Sequence, residues 1–234
     1  MLIPSESWGE DIAVDSSLVK SNLSKIKQQI AHYNVKIIAV TKYFGIKAIE
    51  AGYKAGLRDF AESRALEGIE KINKLSDEVR NNSIFHFIGH LQTNKADKVV
   101  KNFDIIHSVD SFKIATAISK SACSLNKREK VLLQVNNAEE EQKYGYSKVR
   151  LKEEISEILS LDGIEIIGLM NMAPFGASDE VLDDLFKDMR VYRDELEREF
   201  NIRLPELSMG MSDDYEFAVK NGSTMIRIGR KLFT

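Results

Sequence analysis

Lys42 is a charged residue at the end of a predicted buried strand, where a charged side chain is unusual. It follows IIAV at residues 37–40 and Thr41, and four apolar, mostly β-branched residues in a row are typical of a buried strand. Burial disfavours the charged ammonium, so a lysine at the end of such a strand exists more readily as the neutral amine that attacks a carbonyl. The pattern indicates Schiff-base chemistry at Lys42. The alternative is a lysine that caps the strand and extends its amine to water.

A second group of residues has the composition of a phosphate site. The segment GMSDD at 210–214 combines Gly210, which permits close approach of the backbone, with Ser212 just ahead of an acidic helix start. A hydroxyl and free backbone N–H groups at a helix N-terminus bind phosphate, and Gly229 in RIG at 227–229 adds a further N–H group. The sequence therefore predicts a phosphorylated ligand. An ordinary helix cap is the alternative for Ser212.

Arg227 adds a charged donor beside these residues. It lies two residues before Gly229, so both project to the same side of an extended strand. Its guanidinium is permanently charged and only donates hydrogen bonds, which suits an acceptor such as a ring nitrogen. Pairing with an acidic residue such as Asp213 is the alternative.

The framework that must position these residues is a repeated unit, a short apolar run followed by a longer amphipathic or charged stretch. Seven helical patterns lie between the apolar runs, and an extra amphipathic helix at about residues 14–33 precedes the first of them. Eight runs predict strands: IIAV from 37, RDFAE from 58, IFHFIG from 84, DIIHSVD from 104, KVLLQVN from 130, IEIIGLMNM from 164, PELSMGM from 205 and MIRIG from 225.

Strands that are buried on both faces and alternate with helices are typical of a parallel sheet, and eight such units form a closed (β/α)8 barrel. We therefore predict an α/β fold, a single (β/α)8 TIM-barrel domain over residues 1–234. An open doubly wound sheet is the alternative. In such a barrel, chemistry collects at the carboxyl ends of the strands. The residues near predicted strand ends include Lys42, Glu62, Ser63, Asn136, Met170 and Met211.

Composition limits the classes of partner and compartment. A net charge of −3 gives no electrostatic reason to expect nucleic acid or an acidic membrane surface. The single cysteine, Cys123, cannot form an internal disulfide, and no apolar run approaches the roughly 20 residues of a membrane span. The N-terminus lacks the pattern of a signal peptide. His86 lies in a predicted strand, His90 and His107 sit near strand ends, and no pair has metal-ligand spacing. We expect a cytoplasmic protein without a metal.

Longer segments carry a resemblance to a known family. They are AVTKY at 39–43, HFIGHLQTNK at 86–95, QVN followed by KYG, GLMNMAP, and LSMGMSDDYEFAVKNGSTMIRIG at 207–229. Through them the chain resembles, over nearly its whole length, the pyridoxal phosphate homeostasis proteins of the YggS/PROSC family. The resemblance implies a fold-type-III barrel related to the N-terminal domain of alanine racemase, with pyridoxal 5'-phosphate (PLP) held as an imine on Lys42.

The same resemblance assigns roles to the other residues. It implies that Ser212, Gly229 and the backbone N–H of Arg230 surround the phosphate and that Arg227 faces the pyridine nitrogen. We also expect Asn136, Met170 and Met211 to line the cofactor site, and Lys143 in KYG is a hypothetical second cofactor lysine. The sequence departs from the family pattern at AES in place of GEN, with Ser63 where relatives have asparagine, and at Arg230, which is often a small hydroxyl residue.

The function implied is binding rather than catalysis. The high pKa of arginine leaves a ring nitrogen largely unprotonated, which weakens the electron sink that PLP enzymes use. We expect a PLP homeostasis protein that buffers the cofactor or delivers it to PLP-dependent apoenzymes, acting as a monomer without nucleic acid or membrane partners. The alternatives are a single-domain PLP-dependent amino-acid racemase, which requires a second base opposite Lys42, and a class I aldolase in which Lys42 attacks a phosphorylated sugar.

Overall fold

Eight parallel strands close into one barrel in the structure, a computed structural model that describes residues 14–138 and 144–234. Each strand pairs with its neighbour in chain order, and β1 pairs with β8 to close the ring. The predicted (β/α)8 barrel is confirmed, and the open doubly wound sheet is wrong. The strands are β1 (Lys36–Val40), β2 (Asp59–Glu62), β3 (Ile84–Phe87), β4 (Ile105–Val109), β5 (Glu129–Gln134), β6 (Ile164–Met170), β7 (Glu206–Ser208) and β8 (Met225–Ile228).

Helices follow the strands as the amphipathic patterns predicted, and the extra N-terminal helix is present. Two short helices, at Asp77–Asn81 and Arg230–Phe233, and a 3-10 turn at Thr93–Lys95 were not predicted, because three to five residues are too few to show an apolar periodicity. Among the described residues, no helix has the length and apolar character needed to cross a membrane. The helices are α1 (Ser16–Gln29), α2 (Ile46–Lys54), α3 (Ala65–Lys74), α4 (Asp77–Asn81), α5 (Ala96–Asn102), α6 (Phe112–Ser124), α7 (Lys148–Leu159), α8 (Asp179–Phe200), α9 (Tyr215–Lys220) and α10 (Arg230–Phe233).

Strand alternation divides the core into an outer layer and an interior. Ile37 and Ala39 of β1 pack in the large core shared with the surrounding helices, whereas Ile38 and Val40 belong to a small apolar group inside the barrel. A second interior group lies on β4, β5 and β6 and contains Ile105, Leu132, Ile167 and Met170. Beyond Val40, Thr41 turns outward to Glu62, and Lys42 lies in the turn that follows directly.

Glu129 is a buried carboxylate at the floor of the barrel, the end opposite the strand carboxyl ends. It begins β5, is 1% exposed, and pairs with the Lys127 ammonium at 2.7 Å. Burial raises the pKa of Glu129 to about 7, although Lys127 opposes the shift. From about pH 4.5 to about pH 7 the folded protein therefore retains a proton that the unfolded chain has lost. Glu129 makes stability fall as the pH rises through this range.

Glu129→Gln removes this titration. We expect the free energy of unfolding of the variant, relative to wild type, to increase by about 2 to 3 kcal/mol between about pH 5 and pH 8. Urea denaturation at a series of pH values measures the difference. Glu165→Gln is the matched control, because Glu165 is an exposed glutamate on the adjacent strand β6 and should show no such trend. Identical pH dependence in wild type and Glu129→Gln would contradict the prediction.

Candidate functional site

The closure of the barrel between β1 and β8 places Gly229 against the end of the strand that leads to Lys42. Ala39 of β1 is in register with Ile228 of β8, so the two strands end at the same level. Gly229 follows β8 so closely against β1 that an added Cβ atom would lie 3.4 Å from the Val40 carbonyl oxygen. Lys42, two residues beyond Val40, is half-buried, and its Nζ atom lies 4.9 Å from the Tyr43 ring centroid. We call the end of the barrel that the carboxyl ends of the strands form the mouth. It contains both the predicted lysine and one half of the predicted phosphate site.

The carbonyl of the residue before Lys42 is fixed from outside the barrel. The Thr41 hydroxyl donates to Glu62 Oε1 at 2.6 Å. The Lys71 ammonium from α3 donates both to Glu62 Oε1 at 2.8 Å and to the Thr41 carbonyl at 2.9 Å. Burial raises the pKa of Glu62. The charge of Lys71 and the hydrogen bonds from Lys71 and the Thr41 hydroxyl oppose that shift. The sequence placed Glu62 at a strand end, but nothing distinguished Lys71 among the lysines of its helix.

The turn after β7 carries Ser212 and begins α9 later than predicted. The Asp214 carboxylate accepts the Met211 backbone N–H, and the Tyr215 N–H donates to the Met211 carbonyl at 3.0 Å. This side-chain closure holds residues 212–214 in a turn, so the helix starts at Tyr215 instead of directly after Ser212. Gly210 has φ of 89°, and an added Cβ would lie 2.6 Å from the Ala218 Cβ, so both backbone conformation and space demand glycine.

Free backbone donors lie in the turn after β7 and directly after β8. The Arg227 N–H donates to the Gly210 carbonyl at 3.0 Å, which aligns the turn after β7 with the end of β8. Within residues 14–138 and 144–234, the backbone N–H groups of Ser212, Gly229 and Arg230 have no acceptor. The Arg230 side chain pairs with Asp213 at 3.2 Å on the exposed surface. Three N–H groups and a hydroxyl at one edge suit the oxygens of a phosphate.

Arg227 is buried in the centre of the mouth. Its side chain donates from Nη1 to the Ser208 carbonyl at 2.6 Å and hydroxyl at 2.7 Å, and from Nη2 to the Asn171 carbonyl at 2.8 Å. Burial lowers the pKa of Arg227 to about 10, and Asp214 opposes the shift, so the group stays charged at neutral pH. The alternative in which Arg227 pairs with Asp213 is wrong, because Asp213 pairs with Arg230. The Nε–H and the second Nη2 hydrogen of Arg227 have no acceptor among the described residues, which suits a ligand nitrogen.

The other residues predicted for the site occupy different parts of the mouth. Met170 ends β6 and is 1% exposed within the interior apolar group, whereas Met211 is 36% exposed. Asn136 is half-buried after β5, and its backbone N–H donates to the Tyr146 carbonyl at 2.9 Å. Lys143 lies outside the described residues.

Ser63 stands where the ends of β2 and β3 touch. A Cβ atom at Gly89 would lie 1.9 Å from the Ser63 carbonyl oxygen, so glycine is required for this contact. A cavity of about 410 Å³ opens on this side of the mouth, and its lining includes Ser63, His90, Gln92 and Lys95. His90 Nδ1 lies 3.0 Å from Asp110 Oδ2, and its ring stacks on Tyr144 at a centroid distance of 3.7 Å.

The histidines inside the barrel were not predicted to be functional. His107 lies in the middle of β4 and is fully buried, so the expectation that it sits near a strand end is wrong. Its Nε2 atom is 2.9 Å from His86 Nδ1 on the neighbouring strand. Strand alternation was the signal that places both rings inside the barrel. In the part of the chain that the structure describes, no three His, Cys, Asp or Glu side chains are grouped to hold a metal ion.

Comparison with known proteins agrees with this geometry. Residues 14–234 match the family model described as the N-terminal domain of alanine racemase. Pyridoxal phosphate homeostasis proteins are similar along most of the chain. The protein of Synechocystis is 42% identical over 86% of this chain and 91% of its own length, and that of Schizosaccharomyces pombe is 33% identical over 90% of this chain and 88% of its own.

Solved structures show the same fold. PipY of Synechococcus elongatus, determined with PLP bound, superimposes with a TM-score of 0.86 at 37% identity, covering 92% of this chain and all of PipY. The alanine racemase of Clostridium difficile shares the fold, with a TM-score of 0.74 at 18% identity, and this chain covers 57% of its length. From its sequence relatives and its barrel together, the chain belongs to the family of pyridoxal phosphate homeostasis proteins.

Proposed function

We propose that this chain binds PLP reversibly through Lys42 and buffers the cofactor or delivers it to enzymes that need it. One observation carries the proposal: β1, β7 and β8 end with an amine, a set of backbone donors and a buried guanidinium around one opening. PLP carries an aldehyde, a phosphate and a ring nitrogen, which are the partners for these three groups. The homologous PipY structure, which contains PLP, supports the same assignment.

Each part of the mouth has a distinct role in this proposal. The Lys42 amine attacks the aldehyde carbon, and the carbonyl oxygen leaves as water, which makes the attachment reversible by hydrolysis. Ser212 and the N–H groups of Gly229 and Arg230 hold the phosphate. Arg227 donates to the ring nitrogen, while Asn136, Met170 and Met211 line the opening.

Arg227 also explains why binding, and not broad amino-acid chemistry, is the proposed role. When bound, PLP withdraws electrons most effectively with a protonated ring nitrogen, and a carboxylate partner maintains that proton. A donor that remains charged at neutral pH cannot accept it. In the described residues no carboxylate forms an ion pair with Arg227, and Asp214 acts on it only through its longer-range charge.

The compartment and partners are part of the proposal. We place the protein in the cytoplasm as a single-domain monomer that exchanges PLP with PLP-dependent apoenzymes and contacts neither nucleic acid nor membranes. The net charge of −3 supports the absence of polyanion binding.

Lys42→Ala is the first test of the binding site. We expect wild type with PLP to show a yellow absorption band and, after borohydride reduction, a pyridoxyl group on the peptide that contains residue 42. Lys42→Ala should show neither, because the attacking amine is gone. Lys47→Ala, which removes an exposed lysine from the adjacent helix α2, is the matched control and should behave as wild type. A colourless wild type would refute cofactor binding and favour a phosphorylated sugar as the ligand.

Ser212→Ala tests the phosphate site. Loss of a hydroxyl that donates to a charged group costs about 1.5 to 3 kcal/mol, so we expect the Kd for PLP to rise by roughly 10- to 100-fold. The affinity for pyridoxal, which lacks the phosphate, should not change. Titration of both aldehydes by absorbance measures the two effects. Equal losses for PLP and pyridoxal would contradict a phosphate role for Ser212.

The racemase alternative has its own test. We expect the PLP-loaded protein to exchange the α-proton of alanine or serine with deuterium no faster than free PLP does, because a ring nitrogen opposite Arg227 stays unprotonated and withdraws electrons from the α-carbon only weakly. Proton NMR of the amino acid in deuterium oxide measures the rate. Exchange that depends on both PLP and Lys42 would establish the racemase function instead.

A further inference from the structure

A chain of hydrogen bonds crosses the barrel interior from floor to mouth. Asp59 Oδ1, at the start of β2, lies 3.0 Å from His86 Nε2, and His86 Nδ1 lies 2.9 Å from His107 Nε2. His107 Nδ1 lies 2.9 Å from the Ser208 hydroxyl, which accepts from Arg227 Nη1 at 2.7 Å. We call these five residues the interior chain. They come from five different strands: β2, β3, β4, β7 and β8.

The two ends of the interior chain fix the direction of every hydrogen bond. Arg227 only donates, so the Ser208 hydroxyl oxygen accepts from it, and His107 Nδ1 is the one acceptor that the described residues offer for the hydroxyl hydrogen. Burial, above all, holds the pKa of His107 well below its usual value and keeps the ring neutral. A neutral His107 therefore carries its hydrogen on Nε2 and donates it to His86 Nδ1. His86 in turn donates from Nε2 to the Asp59 carboxylate.

The interior chain is buried and its imidazole nitrogens are all paired. His86, His107 and Ser208 are 0% exposed and Arg227 is 3% exposed. The chain runs between the two interior apolar groups, where a barrel ordinarily has packed aliphatic layers. A polar network in such a place is tolerated only when it is fully satisfied, because a half-satisfied network costs more than an apolar core. Both nitrogens of both rings meet this requirement.

The charge at the mouth is neutralised only from a distance. Among the described residues, no carboxylate lies within ion-pair distance of Arg227, which is surrounded by carbonyl oxygens and the Ser208 hydroxyl. At the other end, Asp59 faces a floor cavity of about 290 Å³ and lies 3.6 Å from the Lys36 ammonium. The interior chain thus connects a buried cation to a carboxylate on the opposite face of the barrel.

We propose that Asp59, His86, His107 and Ser208 are positioning residues that fix the direction and strength with which Arg227 donates to the ring nitrogen of the cofactor. The inference rests on the proposed function, since it concerns the same bound PLP. The four residues act through Arg227 rather than by touching the cofactor. A substitution at the barrel floor should therefore change the strength of the hydrogen bond that Arg227 donates at the mouth.

The cofactor-free protein provides the first readout. In nitrogen-15 NMR spectra of protein labelled in histidine, we expect His86 and His107 to be neutral Nε2–H tautomers. Ser208→Ala should shift the His107 Nδ1 resonance, because that nitrogen loses its donor, and the fold should persist because only a hydroxyl is removed. The opposite tautomer at either ring in wild type would overturn the direction of donation from mouth to floor.

The second readout compares PLP with its 1-deaza analogue, in which carbon replaces the ring nitrogen. We expect Ser208→Ala to raise the Kd for PLP up to about tenfold, because Arg227 loses a partner that aims its donor at the ring nitrogen, and Asp59→Asn to raise it several-fold. Neither variant should change the Kd for the analogue, which has no ring acceptor. Asp59→Asn is decisive because residue 59 lies at the floor and keeps an acceptor oxygen for His86.

Ile167→Val is the matched control for a change inside the barrel. Ile167 belongs to an interior apolar group outside the interior chain, so the variant should lose some stability with no change in the ratio of the two affinities. Ratios equal to wild type in both Ser208→Ala and Asp59→Asn would overturn the inference. If wild type fails to bind PLP, the proposed function fails instead, while the NMR experiment still tests the interior chain.

Discussion

The burial of one permanently charged guanidinium at the centre of the barrel mouth is the constraint on which the rest of the interior depends. Removing a charge from water costs several kcal/mol unless hydrogen bonds replace the lost hydration. The backbone carbonyls of Ser208 and Asn171 meet most of this need for Arg227. The Ser208 hydroxyl, which accepts a hydrogen bond from Arg227, in turn needs an acceptor for its own hydrogen. A single charge thereby imposes polar residues on strands far from its own.

Stability and function are separated by the alternation along each strand. Outward residues build the large apolar core with the helices, and this core leaves the interior free to hold polar groups. At the end of β1, adjacent residues have different roles. Thr41 turns outward to Glu62 and Lys71, which fix the backbone, and Lys42 follows in the next position. The amine that we propose as the point of attachment thus follows a backbone carbonyl that a helix holds in place.

The sequence was sufficient for the framework. Repeated apolar runs identify the strands, and the barrel rule then places Lys42, Ser212 and Gly229 at one face. The start of α9 was misplaced because the Asp214 carboxylate, which folds back to the Met211 N–H, holds a turn ahead of the helix. The contact between His107 and Ser208 joins residues 101 positions apart on strands that are not neighbours. Periodicity along the chain has no information about such pairs, so only the closed barrel reveals them.

The fully paired imidazoles have a consequence for substitution at either position. Replacing one histidine of the pair by an apolar residue leaves its partner with a buried, unsatisfied nitrogen, whereas replacing both with aliphatic residues restores an ordinary packed layer. We therefore expect positions 86 and 107 to be energetically coupled: one replacement lowers stability, and the second replacement removes the unsatisfied nitrogen that the first one left.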